Sequence, residues 1–547
     1  MKQRTWKQLL NVWGTAVAGT HHAQPPAYDG PDVPLTQISD DTRALEPGSC
    51  FVARLRRRGD GTVWSDAHGY IPQAIAKGAR VIIAQRPADE LGLDLPSEVL
   101  YLVVPDTAVT LAWLSAAWHS FPSHQLVVIG VTGTDGKSST SQIIQSLLQS
   151  AGLKTGMLST IKAVIGEVEE PLPLHVTTPE APLIQHYLRR MVDAGLTHVV
   201  LETTSHALAL GRVTAVAFDI GVVTNITHEH LDIHGSWENY FAAKKQLFEM
   251  VAQRHLPSDA GPYKRAVPAT AVLNRDDEVY GRLAAIPNLA HLDYAIHHSA
   301  DLRADAIRHA PGQTHFTLTL PGGQQTDIAS PLVGEFNVYN SLAAAGTAVA
   351  LGLIPAQIAA GLAQTPPISG RMERIDRGQP FQVIVDFAHT PIALKKAIGV
   401  ARQMTHGRVI TVFGSAGQRD VEKRRIMAEI SARDADLTIL TAEDPRTDSL
   451  DEILAYMAVG AKNEGGVEGE TFWRIPDRGQ AIYFALTLAQ PGDLLLICGK
   501  GHEQSMCFGK TEYPWDDRQA TRAALDAFLA GEPMVDLGLP TFAGGNG

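Results

Sequence analysis

Cysteine is scarce: Cys50, Cys498 and Cys507 are the only three in 547 residues, a spacing that provides neither a disulfide framework nor a zinc site. They read as small buried hydrophobes in a reducing, cytoplasmic compartment. A run of about 18 apolar residues is also missing, so no membrane insertion is expected. Met1-Lys2-Gln3-Arg4 imitates the basic start of a signal peptide, but Asn11, Gly14 and Thr15 interrupt the apolar stretch behind it. Trp6, Leu9, Leu10 and Trp13 fit one face of a helix instead. There is no basic excess: 46 Lys and Arg stand against 58 Asp and Glu, a net charge of −12. This argues against general nucleic-acid binding, which depends on basic surface to displace counterions. A local basic pocket for an anionic substrate remains compatible with it. Internal repeats and low-complexity tracts are absent, although Gly544-Gly545-Asn546-Gly547 is expected to fray.

With 45% hydrophobic and 19% charged residues, the chain reads as folded. Its length predicts roughly two to four domains. Residues 1–122 mix short strands (51–53, 81–84, 100–104) with a helix near 72–77, and Pro122-Ser123 marks a boundary. Residues 123–369 alternate strands, such as 197–201 and 218–224, with helices such as 182–194, which predicts a parallel sheet covered on both faces. Residues 370–547 repeat the pattern with strands at 383–385, 409–413, 437–441 and 494–498. The fold class is therefore α/β, with a central P-loop ATPase-like sheet and a Rossmann-like C-terminal domain. In such sheets ligands gather beyond the carboxyl ends of the strands.

Within the central region the apolar residues 127–131 lead into Gly133-Thr134-Asp135-Gly136-Lys137-Ser138-Ser139, and Ile143, Ile144, Leu147 and Leu148 follow at helical spacing. Strand, phosphate loop and helix are the expected elements. The glycines let backbone N–H groups face an anion, Lys137 reaches terminal phosphates, and the Ser138 hydroxyl suits magnesium. Val131 stands where the longer phosphate-loop pattern has glycine, so an ordinary Gly-rich turn is the competing reading. Glu202 immediately follows one strand, and Asn225-Ile226-Thr227-His228-Glu229-His230-Leu231-Asp232 follows another. Magnesium takes few protein ligands beside phosphate and water, which makes Glu202 and His230 candidate ligands. Lys244 lies in the expected helix 240–248, where a solvated surface lysine is the ordinary alternative.

Taken in order, these segments resemble the Mur ligase family. Further matches are Asp41-Thr42-Arg43, Thr177-Thr178-Pro179, Asn274-Arg275-Asp276-Asp277, the segment ending in Asn340, Gly370-Arg371-Met372-Glu373, Asp386-Phe387-Ala388-His389 and Gly499-Lys500-Gly501-His502-Glu503. The resemblance covers nearly the whole chain and is strongest to the branch that adds the third peptide residue. It implies ATP and Mg2+ as cofactors, and a UDP-muramoyl-dipeptide and a free amino acid as partners, in a monomeric cytoplasmic ligase. By the same resemblance Lys137, His230 and Lys244 are catalytic, Lys244 through carbamoylation. Ser138, Glu202, His230 and Lys244 hold metal. Residues 133–139, Asn274, Asp277, Asn340, Arg371 and Asp386 take the nucleotide. Asp41, Arg43, Thr177, Thr178, Thr204, Arg212 and His389 take the muramoyl substrate and its surroundings.

In the amino-acid pocket the resemblance places Arg419, Asp444, Arg446, Gly499 and Glu503. Here Glu443-Asp444-Pro445-Arg446 departs from the family's Asp-Asn-Pro-Arg. The extra carboxylate of Asp444 is expected to repel a distal carboxylate and attract a lone ammonium, which favours lysine or ornithine over diaminopimelate. Asp135 replaces the usual asparagine of the phosphate loop, and Thr204 and Leu210 replace a common serine and glutamine. Two other readings are a non-catalytic binding protein that keeps the fold and a folate-polyglutamate or cyanophycin-type amide ligase.

Overall fold

The computed structural model describes residues 4–59, 61–172, 177–227, 234–310 and 312–541. Two compact units emerge. One comprises residues 1–307, 316–329 and 335–365, and the other 308–315, 330–334 and 366–547.

The first unit carries a small parallel sheet in the order Ile38–Ser39, Cys50–Val52, Val81–Ala84, Leu100–Val103. The amphipathic start forms the helix Trp6–Ala16, which buries Trp6, Leu9 and Trp13 but leaves Leu10 half-buried. Pro122 and Ser123 sit buried in a short 3-10 turn.

The larger sheet of this unit includes parallel strands in the order Thr155–Leu158, His198–Glu202, Val127–Thr132, Ile220–Val223, Thr270–Asn274, Ala290–Ala295. Val127–Thr132 thus lies between two strands that follow it in sequence. The segments leaving these three neighbours all emerge at one edge, beginning at Gly133, Thr203 and Thr224. This is the reversal of strand order at which α/β sheets bind ligands.

Two glycines let a helix approach that sheet closely. A Cβ on Gly130 would lie 2.7 Å from Leu247 and 2.8 Å from Phe218, and one on Gly221 would lie 3.2 Å from Phe248. The helix Trp237–Ala252 packs there, burying Tyr240, Phe241, Leu247 and Phe248 as its spacing predicts. Lys244 shares that buried face, being only 1% exposed, whereas Lys245 bonds to Glu249 at the surface. The solvated-lysine alternative for Lys244 is therefore incorrect, because the helix is pressed against the strand ends.

The second unit is built on the strand order Glu373–Arg374, Gln382–Asp386, Leu494–Cys498, Val409–Phe413, Leu437–Leu440, Phe472–Arg474, parallel except for the first pair. Its apolar strands Val409–Phe413 and Leu494–Cys498 match their expected bounds and are wholly buried. Among the described residues no helix is long and apolar enough to cross a membrane.

Candidate functional site

The phosphate loop is shaped by steric exclusion as much as by hydrogen bonds. Gly133 has φ +150° and Gly136, which precedes the helix Lys137–Ser150, has φ +82°. A Cβ on Gly133 would overlap Thr224 Oγ1, and one on Gly136 would lie 2.5 Å from Asn340 Oδ1. The loop is tied on its other side by Asn225, which accepts from Thr134 N at 2.7 Å and from Asp135 N at 3.1 Å. Thr224 Oγ1 and Asn225 Nδ2 both donate to Asp135 O, at 2.6 and 3.1 Å. The Asp135 carboxylate has no hydrogen-bond or ion-pair partner among the described residues. Thr224 does not stand out in the sequence and Asn225 only opens the polar run 225–232, since their roles depend on the neighbouring strand.

Lys244 donates to Gly133 O at 2.5 Å, with its ammonium 4.5 Å from the centre of the Tyr240 ring. Tyr240 also shares a 2.9 Å hydrogen bond with Thr134 Oγ1. Lys137 reaches back to Thr134 O at 2.8 Å, and Ser139 is buried in the first helical turn. Asn340 accepts from Thr140 Oγ1 at 3.1 Å, which fixes the helix Glu335–Ala350 against the loop helix.

Glu202 is 1% exposed and accepts from Ser138 Oγ at 3.0 Å, from Thr160 N at 2.9 Å and from Thr160 Oγ1 at 3.1 Å. Every one of these partners is neutral. A buried carboxylate costs free energy unless its charge is compensated, and an all-oxygen set beside a phosphate loop fits a hard divalent cation. Glu202 and Ser138 thus fit magnesium. His230, with the rest of residues 228–233, lies outside the described residues.

At the end of the neighbouring strand Thr270–Asn274, Asn274 Nδ2 donates to Thr224 O at 2.8 Å and Asp277 accepts from Ile226 N at 2.9 Å. Asp276 takes backbone bonds from residues 296–298 and a 2.8 Å bond from Tyr339. Burial raises its pKa, but the hydrogen bonds prevail and hold it down at about 2. This aspartate thus ties residues 296–298 and Tyr339 to the strand end.

A charged cluster surrounds Thr178, with Thr177 half-buried beside it. Arg212 donates to Thr178 O at 2.8 Å and pairs with Glu180 at 3.0 Å. Arg54 binds both Glu180 and Asp40, and Arg56 approaches Glu180 at 3.2 Å. Three guanidinium groups around two carboxylates leave one net positive charge, which suits an anion. Thr178 Oγ1 also links Glu202 O and Thr204 N, at 2.8 and 3.1 Å. Arg43 pairs with Asp41 at 2.7 Å on the open surface.

In the second unit Asp386 accepts from Met372 N at 2.7 Å and Ala388 N at 2.8 Å. Arg371 lies over the Phe387 ring at 4.4 Å, and His389 packs against the same ring. Asp444, with φ +40°, and Arg446, with φ +53°, form a strained turn. Arg446 holds the segment through N to Cys507 O and through O to Gly509 N. Its guanidinium, like that of exposed Arg419, has no partner among the described residues.

Asp444 carries less unbalanced charge than its type implies, because Lys500 Nζ meets Asp444 Oδ1 at 3.0 Å and Glu503 Oε2 at 2.5 Å. Lys500 is 1% exposed. Burial opposes its charge, but Glu503 and Asp444 outweigh burial and hold its pKa above the usual lysine value. Two carboxylates and one ammonium leave one negative charge rather than two. The sequence places Lys500 within the segment Gly499 to Glu503, but a lysine between glycines carries no sign of burial. Adjacent Glu443 is pushed up to about 7 by burial, partly offset by Lys423, Arg478 and Lys500.

Known proteins resemble this chain along most of its length. Residues 131–348 match the profile of the Mur ligase middle domain, and residues 370–501 that of the Mur ligase, glutamate ligase domain. The chain is 42% identical to a UDP-N-acetylmuramyl-tripeptide synthetase of Roseiflexus sp. (strain RS-1), covering 92% of this chain and 97% of the relative. It is 38% identical to a UDP-N-acetylmuramoyl-L-alanyl-D-glutamate--2,6-diaminopimelate ligase of Geobacillus kaustophilus (strain HTA426), covering 91% and 96%. A solved structure of a ligase of the latter description aligns with a TM-score of 0.62 at 27% identity, covering 92% and 98%.

The steric limit at Gly133 predicts that Gly133→Ala weakens binding of a non-hydrolysable ATP analogue at least about ten-fold, or about 1.4 kcal/mol, by calorimetric titration. Gly152→Ala, at φ +84° with nothing within 4 Å, is the control that retains nucleotide affinity.

Proposed function

The chain belongs to the Mur ligase family, and from that premise we propose that it is an ATP-dependent ligase joining a free amino acid to UDP-N-acetylmuramoyl-L-alanyl-D-glutamate in peptidoglycan precursor synthesis. The observation that carries this reading is the convergence of the phosphate loop, Ser138 and the buried carboxylate of Glu202 at one sheet edge. Residues 1–122 would hold the UDP end, 123–369 ATP and 370–547 the amino acid, in the cytoplasm where nucleotide-linked precursors and ATP meet.

In this reaction an oxygen of the substrate carboxylate attacks the γ-phosphorus of ATP, and ADP leaves. The amine of the incoming amino acid then attacks the acyl carbon of the mixed anhydride, loses a proton, and expels inorganic phosphate. Lys137 and the loop amides hold the phosphates and offset the charge that spreads over their oxygens. Ser138 and Glu202 would hold magnesium, which supplies further charge neutralisation there. Arg212, fixed by Thr178 and Glu180, orients the anionic muramoyl peptide. Arg419 and Arg446 grip the carboxylate of the amino acid.

Lys244 is a carbamoylation site in this reading. Its buried amine beside the loop would become a carboxylate-like group able to take a second magnesium. Asp444, Lys500 and Glu503 together present one negative charge to the distal end of the amino acid. A single ammonium balances it, whereas a distal carboxylate adds repulsion. Lysine or ornithine is therefore the favoured substrate.

Phosphate release should require ATP, the UDP-muramoyl dipeptide and an amino acid together, with lysine or ornithine giving the highest kcat/KM in a panel. Diaminopimelate as the strongly preferred substrate would contradict the pocket assignment, and no release with any amino acid would favour a non-catalytic binding protein. Lys244→Ala should lower kcat by about 100-fold or more, with partial rescue by short carboxylic acids. Equal activity without rescue would remove the carbamoylation assignment.

A further inference from the structure

Arg478 and Asp517 begin the helices Arg478–Leu488 and Asp517–Ala530, and both side chains are fully buried. Arg478 Nε and Nη2 donate to the two oxygens of Asp517, each at 2.7 Å. The same guanidinium also reaches two backbone carbonyls, with Nη1 to Ala442 O at 3.1 Å and Nη2 to Cys498 O at 2.8 Å. Asp517 in turn accepts from Gly501 N at 3.2 Å and Trp515 Nε1 at 2.9 Å.

The positions of those backbone groups give the pair its meaning. Ala442 immediately precedes Glu443-Asp444-Pro445-Arg446, and Cys498 immediately precedes Gly499 to Glu503. The strands that deliver these segments, Leu437–Leu440 and Leu494–Cys498, are not neighbours, because Val409–Phe413 runs between them. No strand ladder therefore sets one segment against the other. Arg478 spans that gap, and Lys500 ties Asp444 to Glu503 farther along the same segments. A buried ion pair is often replaceable by apolar side chains without loss of stability, so stability alone does not account for it. The planar guanidinium fork does what apolar groups cannot: it holds two carbonyls at fixed separation while bound to a carboxylate.

We infer that Arg478 and Asp517 are positioning residues that set the two halves of the amino-acid pocket in register, resting on the ligase reading above only for what the pocket binds. Neither residue touches substrate; they act through residues 443–446 and 499–503.

The test is the variant R478M/D517L, which replaces the pair with apolar side chains. Backbone amide exchange in residues 443–446 and 499–503 should accelerate together by about ten-fold or more, with the strands unchanged. KM for the preferred amino acid should rise by about ten-fold, while kcat and KM for ATP stay within about two-fold. Should circular dichroism show that the double variant does not fold, Arg478→Lys, which keeps the charge and loses the fork, serves for both readouts. A folded variant in which neither segment loosens, or only one does, overturns the inference, as does an equal rise in both KM values. Wild-type protein that turns over no amino acid would refute the ligase reading alone, and the exchange measurement would still decide the role of the pair.

Discussion

The first unit depends on places where no Cβ fits. Gly130 admits Leu247 and Phe218 against the central strand, Gly133 admits Thr224, and Gly136 admits Asn340. Each close approach brings a functional group to the same edge. The first seats the helix that carries Lys244, the second locks the loop onto the neighbouring strand, and the third docks the helix that carries Asn340. Protein interiors are close-packed, so a methyl group at any of the three would force the facing side chain out of its place.

The second unit follows a different principle, in which buried charge holds segments that the sheet itself leaves unconnected. Arg478, fully buried with Asp517, bonds the starts of the segments 443–446 and 499–503, while Lys500 joins Asp444 to the partly exposed Glu503. Such groups cost free energy to desolvate and persist where geometry and hydrogen bonding compensate them. The outcome at Asp444 shows why charge cannot be counted by residue. Its carboxylate adds less negative potential than its presence implies, because a buried ammonium shares it.

The α/β class, the phosphate loop and most strands were legible in the sequence because apolar runs and glycine punctuation are local signals. The strand Val409–Phe413 and the helix Ala181–Asp193 fall within a residue of their expected bounds. Lys244 was harder, since a lysine in an apolar helix ordinarily faces water, and only the glycines of the strand beneath explain its burial. Thr160 carries no local signal, and Asn225 and Lys500 lie within recognised polar segments without a sign of what each of them holds. Their roles come from parallel neighbours and from partners dozens of residues away, which no local pattern encodes. Arg478 and Asp517 are the extreme case, lying 39 residues apart and marked by nothing but their types.

In the proposed reaction a carboxylate is activated as an acyl phosphate beside Glu202 and the phosphate loop. The most direct measurement uses UDP-muramoyl dipeptide labelled with oxygen-18 in the reacting carboxylate, with mass analysis of the inorganic phosphate released. An acyl phosphate transfers a labelled oxygen to phosphate as the amide forms, so labelled phosphate is the predicted result. Amide product accompanied only by unlabelled phosphate would contradict the account.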